Sequence, residues 1–332
     1  MTQESFGTTA DGHEVTRVIL DNGTLRVCLL TLGATLQDVR LAGLDRPLTL
    51  GGERVADYVL GGPLHYFGAI VGPVANRIRD ARTELDGRSL KFDPNGAGGH
   101  VLHGGEMGLN HKIWDIEAAD ETRVLFATTA PDGEGGFPGN RRFTAEFRLD
   151  GAALLMTLGA ETDAPTLVNL ANHSYWNLGG GADFHGHLLK IDAERWLPTD
   201  ETNRPTGEIR AVDGTPMDFR TPRALTAADA IDHNFCLADS RRALTEVASL
   251  TGPDGTRLDI ATTEPGLQIY DTRHLPAEGI AGLDGRRYGP RAGVAIEAQL
   301  WPDAPTYPEF PPIRLDPGNA YEQVTRWSFS RG

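Results

Sequence analysis

Residues 143–149 read FTAEFRL and residues 153–161 read ALLMTLGAE, with Asp150 and Gly151 between the two segments. Apolar and polar residues alternate through the first segment, and the alternation continues in the second. Successive side chains of a β-strand point to opposite faces, so this pattern predicts two strands that each bury one face. Asp-Gly is a favoured sequence for a tight hairpin turn. The stretch therefore predicts an antiparallel β-hairpin packed on a core.

Short strands separated by turn residues continue along the rest of the chain. Asn22 and Gly23 mark a second hairpin, because both residues tolerate a positive φ. Strands are predicted over residues 15–20, 24–32, 122–129, 257–263, 266–271, 293–299 and 321–330. Short helices are predicted only over residues 53–60 and 222–231. Strands and helices do not alternate, which argues against a parallel α/β fold. The sequence thus predicts an all-β, single-domain antiparallel β-sandwich over residues 1–332, with few short helices.

The composition is that of a globular protein with a strongly acidic surface. Among 332 residues, 31 Lys and Arg stand against 46 Asp and Glu, which gives a formal net charge of −15 at pH 7. Such a chain suits neither a nucleic-acid backbone nor an anionic membrane surface. It has no run of 18 apolar residues and starts without a basic and apolar leader, so we expect a cytoplasmic protein. Its two cysteines, Cys28 and Cys236, cannot form a disulfide framework.

Familiar cofactor and nucleophile motifs are missing from the sequence. There is no glycine-rich dinucleotide or phosphate loop, no Gly-x-Ser-x-Gly elbow and no His-Glu-x-x-His zinc helix. His185 and His187 form a weak metal pattern, but no third ligand stands at the spacing of a zinc site. A loop pair without a metal is the better interpretation. We therefore expect a protein that needs no metal and no organic cofactor.

Polar residues interrupt several segments that otherwise resemble buried strands. They are His173 and several asparagines beside Tyr175 and Trp176 in LVNLANHSYWNL (167–178), Asn76 and Arg77 in VANRI (74–78), His103 before a double glycine, Asp232 in IDHNF (231–235), and Glu297 and Gln299 on one face of VAIEAQ (294–299). Burying a polar group without a partner costs about 1–3 kcal/mol, so these positions need a reason. Taken singly, each is most simply a core, edge-strand or ion-pairing residue. Together they supply an acid, a base, hydroxyl-binding groups and aromatic rings for stacking, which favours a carbohydrate site.

Seven blocks of the sequence then stand in a distinctive order. They are GAIVGPVANRI (68–78), GHVLHGG (99–105), VNLANHSYWNL (168–178), PTGEIRAVDGTPMDFR (205–220), DHNF (232–235), PGLQIYD (265–271) and IEAQLWPDAPTYPEFPPIRLDPGNAY (296–321). Together they resemble the aldose 1-epimerase (galactose mutarotase) family almost from end to end. The resemblance implies a galactose mutarotase-like supersandwich, which is a single large antiparallel β-sandwich. It also implies an isomerase that interconverts the α and β anomers of aldohexoses such as glucose and galactose.

The same resemblance implies roles for individual residues. Ring opening needs a base for the proton of the anomeric hydroxyl and an acid for the ring oxygen. Glu297 is implied as the base and His173 as the acid, with the roles exchanged on closure, while His103 is implied to hydrogen-bond near the ring oxygen. The implied hydroxyl-binding residues are Asn76, Arg77, Asp232 and Gln299, and Tyr175 is expected beside the substrate. We expect His173 to be protonated, with Asp232 and Glu297 favouring the charged form.

Two alternatives to this function stay open at the level of the sequence. One is a hexose-6-phosphate mutarotase of the same superfamily, and the other is a non-catalytic sugar-binding β-sandwich. The pairing of His173 with Glu297 argues against mere binding, because binding needs no acid–base pair. The partner implied is a monosaccharide, with no nucleic acid and no membrane, and the chain is expected to be a monomer or a homodimer.

Overall fold

Nine antiparallel strands form the largest sheet of the computed structural model, which describes residues 1–332. In spatial order they are Asp115–Ala119, Arg123–Ala130, Arg141–Asp150, Ala153–Thr162, Tyr321–Ser330, Arg257–Thr262, Thr245–Thr251, Leu188–Ile191 and Arg223–Ala224. The predicted hairpin lies inside this sheet, with Phe147 opposite Met156. Its apolar side chains, Phe143 and Phe147 among them, are fully buried, so the hairpin predicted from alternation is confirmed.

A six-stranded sheet packs against the largest sheet and completes the sandwich. In spatial order its strands are Tyr175–Trp176, Val294–Gln299, Gly266–Tyr270, Asp232–Cys236, Arg195–Leu197 and Arg210–Ala211. Ile296, Ile269 and Phe235 of this sheet belong to the same apolar core as Phe143 and Trp327 of the largest sheet. Because side chains alternate along a strand, the neighbouring residues face the other way, into the cavity described below.

Smaller sheets close the rest of the fold. A four-stranded sheet contains Thr2–Thr8, Glu14–Asp21, Leu25–Leu30 and Thr35–Leu41. The two-stranded pairs are Thr166–Leu167 with Arg314–Leu315, Ala171–Asn172 with Ile70–Val71, Ile280–Ala281 with Arg287–Tyr288, Arg77–Ile78 with Val101–Leu102, and Arg82–Leu85 with Arg88–Lys91. Every strand predicted from the sequence is present, with ends that differ by a few residues.

Helix is confined to single turns. The one α-helix is Val55–Tyr58, inside the predicted range 53–60, and the 3₁₀ turns are Arg79–Ala81, Ala97–Gly99, Leu109–His111, Glu134–Gly136, Leu283–Gly285 and Ala304–Thr306. The helix predicted over 222–231 is wrong, because Arg223–Ala224 pairs with Leu188 and Leu189 at the edge of the largest sheet. A short isolated helix has a costly nucleus, so the edge pairing replaces it. No helix is long and apolar enough to cross a membrane.

Both cysteines are buried and unpaired. Burial raises the pKa of the Cys28 thiol to about 11 and that of the Cys236 thiol to about 12. A thiol needs its thiolate form to act as a nucleophile or a metal ligand. Cys28 and Cys236 are therefore packing residues at neutral pH.

Gly68 brings two loops into close contact beneath the cavity. Its φ is 74°, and its carbonyl accepts hydrogen bonds from the Leu36 N–H and from Asn172 Nδ2, both at 2.8 Å. Its own N–H donates to the carbonyl of His173 at 2.9 Å. A Cβ atom at this position would lie 2.1 Å from the Leu36 carbonyl oxygen, so no larger residue fits. Gly68 thus ties His173 to the four-stranded sheet.

We expect Gly68→Ala to destabilise the fold more than a strained φ alone would. The matched control is Gly61→Ala, because Gly61 has a φ of 78° but no atom within 4 Å of the added Cβ. The control should lose roughly 1–2 kcal/mol of unfolding free energy from backbone strain. Gly68→Ala should lose about twice as much, since the clash with Leu36 adds to the strain. Urea denaturation measures both losses, and equal losses would contradict the role given to the Leu36 contact.

Candidate active site

A cavity of about 290 Å³ opens on the polar face of the six-stranded sheet. This volume lies at the small end of the range for small-molecule sites, as expected for a monosaccharide. Seven of the eight residues predicted for the site line it, and they are Asn76, Arg77, His103, His173, Tyr175, Asp232 and Glu297. The fold therefore brings together residues that are spread over more than 200 positions of the chain.

Gln299 is the predicted site residue that does not line the cavity. It lies on the same face of its strand as Glu297, but it pairs with Gly266, whereas Glu297 pairs with Gln268 nearer the cavity. Gln299 is fully buried. Alternation fixes the face of a strand but not the depth along it, and the binding of sugar hydroxyls by Gln299 stays a prediction.

His173 is held by its main chain rather than by its ring. Its N–H donates to the Ala69 carbonyl and its own carbonyl accepts from the Gly68 N–H, both at 2.9 Å. Asn172 Nδ2 donates to Gly68, and Asn172 Oδ1 accepts from the Ser174 N–H at 3.1 Å. The asparagine beside His173 is thus a structural residue. This bracing leaves the imidazole of His173 free to present its nitrogens to the cavity.

Glu297 ends a row of polar residues in the six-stranded sheet. The row runs across three adjacent strands, from Asn234 through Gln268 to Glu297. Glu297 is 2% exposed, and its Oε2 has no hydrogen-bond partner in the protein. An unsatisfied buried carboxylate oxygen is costly, so its position is best explained by a polar ligand that completes it.

His173 and Glu297 face each other across a short gap. His173 Nε2 lies 3.6 Å from Glu297 Oε1, which is too long for a hydrogen bond but short enough for one proton to be shared through small movements. Burial lowers the pKa of His173 to about 3. Burial, with the neighbouring charge of Asp232, raises the pKa of Glu297 well above its usual range.

The expectation that His173 is protonated in the free protein is therefore corrected. Desolvation penalises the charged form of both groups, and for His173 it outweighs the opposing main-chain hydrogen bond. The imidazole of His173 is therefore neutral near pH 7, and burial favours the protonated form of Glu297.

Arg77 balances the remaining charge of the cavity. Its guanidinium opposes the rise in pKa of both Asp232 and Glu297. Asp232 also accepts a hydrogen bond from Gln268 Nε2 at 2.6 Å. Arg77 therefore favours the ionised form of both carboxyl groups, against the effect of burial.

Asn76 and His103 hold each other in place at the edge of the cavity. The His103 N–H donates to the Asn76 carbonyl at 2.9 Å, and the Asn76 N–H donates to His103 Nδ1 at 3.1 Å. The double glycine after His103 serves this packing rather than a ligand, because a Cβ at Gly104 would lie 2.1 Å from the Gly72 carbonyl oxygen.

His103, His173 and Glu297 match the residue types of a metal site but fit one poorly. Their potential ligand atoms all lie within 4.8 Å of one another, and two histidines with a glutamate are a familiar zinc set. However, Nδ1 of His103 is already an acceptor for the Asn76 N–H, so its Nε2 carries a proton. A metal at Nε2 would require that proton to be lost. The absence of a metal requirement stays a prediction.

Aromatic rings flank His173, and only one of them was predicted. The ring of Tyr175 lies 4.9 Å from the His173 ring, and the ring of Tyr66 stacks on it at 5.9 Å with an interplanar angle of 17°. Tyr66, Gln268 and Tyr270 line the cavity without having been singled out in the sequence. Gln268 could have been found, since it interrupts an apolar strand just as Glu297 does.

The weak metal pattern of His185 and His187 has a structural explanation. His187 is buried, and its Nε2 accepts hydrogen bonds from the N–H groups of Leu178 and Gly179 at 2.9 and 3.2 Å. Its Nδ1 lies 2.9 Å from the Phe184 carbonyl and donates to it. Both ring nitrogens of His187 are used, so it is a satisfied structural histidine.

Comparison with known sequences relates the chain to sugar-converting enzymes along nearly its whole length. The family model described as aldose 1-epimerase matches residues 16–328. Galactose mutarotase from Bos taurus is 36% identical over 322 residues, which cover 94% of this chain and 93% of that protein. Aldose 1-epimerase from Escherichia coli K12 is 33% identical over 353 residues, which cover 99% of each protein.

Solved structures agree in fold. The aldose epimerase homologue from C. elegans matches with a TM-score of 0.88 and 29% identity, over 95% of this chain and 98% of that chain. Galactose 1-epimerase from Lactobacillus acidophilus matches with a TM-score of 0.86 and 27% identity, over 100% and 98% of the two chains. The expected antiparallel supersandwich is confirmed.

The lowered pKa of His173 makes the fold less stable in mild acid. Unfolded histidine takes up a proton as the pH falls through 6.5, whereas folded His173 stays neutral down to about pH 3. The unfolded state therefore binds more protons in this window, and stability is lost as the pH falls. The parent protein loses unfolding free energy between pH 7 and pH 5, and His173→Asn should make this loss smaller by about 2 kcal/mol.

Urea denaturation at a series of pH values measures this effect. The exposed His185 provides the control, because His185→Asn should follow the parent protein at every pH. A His173→Asn protein whose stability falls as steeply with acid as the parent's would show that buried His173 is not neutral.

Proposed function

The chain belongs to the aldose 1-epimerase family and is an isomerase that interconverts sugar anomers, and on that premise we propose that His173 and Glu297 are its acid–base pair for neutral aldohexoses such as glucose and galactose. One observation carries the proposal. The two side chains are buried, lie 3.6 Å apart and line a cavity of monosaccharide size.

The reaction requires two proton movements in each direction. Ring opening removes the proton of the anomeric hydroxyl and adds a proton to the ring oxygen, so that the ring C–O bond breaks and an aldehyde forms. Rotation about the bond to the anomeric carbon and closure on the other carbonyl face then give the opposite anomer. An acid and a base that exchange roles between opening and closure keep the protons balanced.

A pair that holds one proton between its members meets this requirement. With the proton on His173, the Glu297 carboxylate accepts from the anomeric hydroxyl and the imidazolium donates to the ring oxygen. In the free cavity burial favours the proton on Glu297, and the reactive arrangement follows when a proton crosses the 3.6 Å gap to His173. Arg77 and the sugar oxygens stabilise the charged form that results, because they restore the polar contacts that burial removes.

The remaining polar groups suit the hydroxyls of the sugar. Asp232 accepts hydrogen bonds, Arg77 donates them, and Asn76 and Gln268 do both. The ring of Tyr175 offers an apolar surface beside the pair. These groups hold one sugar against His173 and Glu297, and this positioning accounts for part of the rate.

We also propose that the enzyme works in the cytoplasm as a monomer or a homodimer. Two free cysteines without a disulfide are usual for a reducing compartment.

Polarimetry on freshly dissolved α-D-glucose tests the function itself. A catalyst accelerates the decay of optical rotation, whereas a sugar-binding protein leaves the decay unchanged. Glu297→Gln and His173→Asn should each lower kcat by roughly 10²–10⁴, because each removes one partner of a general acid–base pair. Both replacements are close in shape to the native side chain, so galactose affinity should be largely kept.

The double variant separates a joint role from two structural roles. Groups that act as a unit are strongly non-additive, so the double variant should be little slower than either single variant. If both residues were structural, melting temperatures would fall and the folded fraction would keep its activity. A folded Glu297→Gln protein within about threefold of the parent rate, which is below the smallest effect expected of an acid or base, would remove Glu297 from its role.

Neutral hexoses should be better substrates than their 6-phosphates. Arg77 is the only lysine or arginine that lines the cavity, and its charge already acts on Asp232 and Glu297. No second cation lines the cavity to bind a phosphate dianion. We expect kcat/KM for glucose to exceed that for glucose 6-phosphate at least about tenfold, or 1.4 kcal/mol of transition-state free energy. A preference for the phosphate would favour the hexose-6-phosphate alternative.

A further inference from the structure

The turn that follows the cavity strand Gly266–Tyr270 is held in a strained conformation. Thr272 has a φ of 53° and is fully buried, and a β-branched residue in this left-handed region is a genuine outlier. Its Oγ1 donates to the Gly293 carbonyl at 2.7 Å, and its own carbonyl accepts from the Arg291 N–H at 3.2 Å. Such strain persists only where the surroundings enforce it, and it is concentrated at functional sites. We therefore looked for what this turn positions.

The turn places an ion pair, Asp271 with Arg273, on either side of Thr272. Arg273 Nε donates to Asp271 Oδ1 at 2.8 Å, and the main-chain N–H of Arg273 donates to the same oxygen at 3.1 Å. Asp271 Oδ2 accepts from the main-chain N–H of Ile231 at 3.2 Å, and the Asp271 N–H donates to the Ile231 carbonyl, also at 3.2 Å. Asp271 thereby fixes the residue that directly precedes Asp232.

The ion pair has a direction relative to Asp232. The carboxylate of Asp271 is buried and already accepts from three protein donors, whereas Arg273 Nη2 is buried without a hydrogen-bond partner in the protein. The charge of Arg273 acts on Asp232 more strongly than the charge of Asp271 does. This difference indicates that the guanidinium is the end of the pair nearer to Asp232.

Asp232 lies where several groups oppose its negative charge. Burial raises the pKa of Asp232, and the charge of Asp271 acts in the same direction. Glu297 lies two strands away, and burial together with the charge of Asp232 raises the pKa of Glu297 as well. The groups that favour ionised Asp232 are Arg77, the Gln268 amide and Arg273.

The other titratable groups around Asp232 carry no charge at pH 7. Burial raises the pKa of Tyr175 well above its usual range and that of Tyr270 to about 12, and it lowers the pKa of His233 to about 4. Arg77 and Arg273 are therefore the two cations that act on Asp232.

We propose, building on the function proposed above, that Asp271 and Arg273 are positioning residues that hold Asp232 in place and in its ionised form, as an acceptor for the hydroxyls of the sugar. An ionised carboxylate only accepts hydrogen bonds, and Gln268 Nε2 donates to Asp232 Oδ1 at 2.6 Å as this form requires. Neither Asp271 nor Arg273 lines the cavity, so both act on the sugar through Asp232.

Carbon-13 spectra of the full-length protein, labelled at the aspartate carboxyl carbon, test the proposal because the shift of this carbon reports ionisation. The Asp232 signal is identified by its loss in Asp232→Asn. Arg273→Gln should raise the pKa of Asp232 by about 1, the low end of the effect of a neighbouring charge, because a cation is lost. Asp271→Asn should lower this pKa, because it removes an anion and keeps the shape. Changes of the same sign, or no change, would overturn the proposal.

Two further variants separate charge from structure. Arg273→Lys keeps the charge but loses the Nε contact, so it should lower the melting temperature and leave the pKa of Asp232 close to that of the parent. Arg241 is the matched control, because its Nε donates to the buried Glu264 at 2.7 Å and it does not line the cavity. Arg241→Gln should lower only the melting temperature. A rise in the pKa of Asp232 in either variant equal to that in Arg273→Gln would overturn the role of charge. If Arg273→Gln does not fold, the sign of the Asp271→Asn change decides.

Sugar affinity gives a second measurement, and the outcome is separable from that of the proposed function. In Arg273→Gln the calorimetric Kd for galactose should rise by up to about tenfold in mild acid, where Asp232 becomes protonated, and KM should change more than kcat. A parent protein that fails to accelerate anomer exchange would refute the function while leaving the carbon-13 titrations as described. Normal activity with the pKa of Asp232 unchanged in both variants would refute only the present proposal.

Discussion

The strand Val294–Gln299 packs one face on the apolar core and turns the other face to the cavity, and the site depends on this arrangement. Ile296 belongs to the apolar core between the two large sheets, while Glu297 faces the cavity. A slip of one residue in register would exchange the two faces and place a carboxylate in the core. The packing of Ile296 and its neighbours therefore fixes the position of Glu297. The same applies to Gly266–Tyr270, where Ile269 lies in the core and Gln268 in the cavity wall.

Burial on this scale also sets the chemistry of the pair. The sheet that positions Glu297 removes water from it, and the loop that carries His173 does the same for the imidazole. Desolvation disfavours the charged form of each group. One proton therefore serves both groups, and they do not form a stable ion pair. Rigidity and desolvation have one origin here, which is the placement of polar side chains on strands whose other face is core.

Much of the fold and most of the site could be predicted from local sequence, and the failures share a cause. The hairpin around Asp150 and Gly151 follows from alternation alone, because its partners are adjacent in the chain. The segment 222–231 fails because its partner, Leu188–Ile191, lies far away in sequence. Gln299 lies outside the cavity lining, because depth along a strand depends on the neighbouring strands. The neutral state of His173 and the bond between Asn76 and His103 depend on burial and on loop contacts, and no local pattern reports either.

The place of Tyr321–Ser330 has a consequence for how the protein is made. This strand lies in the interior of the largest sheet, between Ala153–Thr162 and Arg257–Thr262, although it leaves the ribosome after both of these neighbours. Until it arrives, both neighbours have an unpaired edge, and the core lacks Trp327 and Phe329. Synthesis at about 5–20 residues per second leaves those edges open for many seconds, at a stage when exposed strands pair with the wrong partner. The incomplete chain thus exposes two strand edges and an apolar surface that the finished fold buries, which are the conditions that favour aggregation.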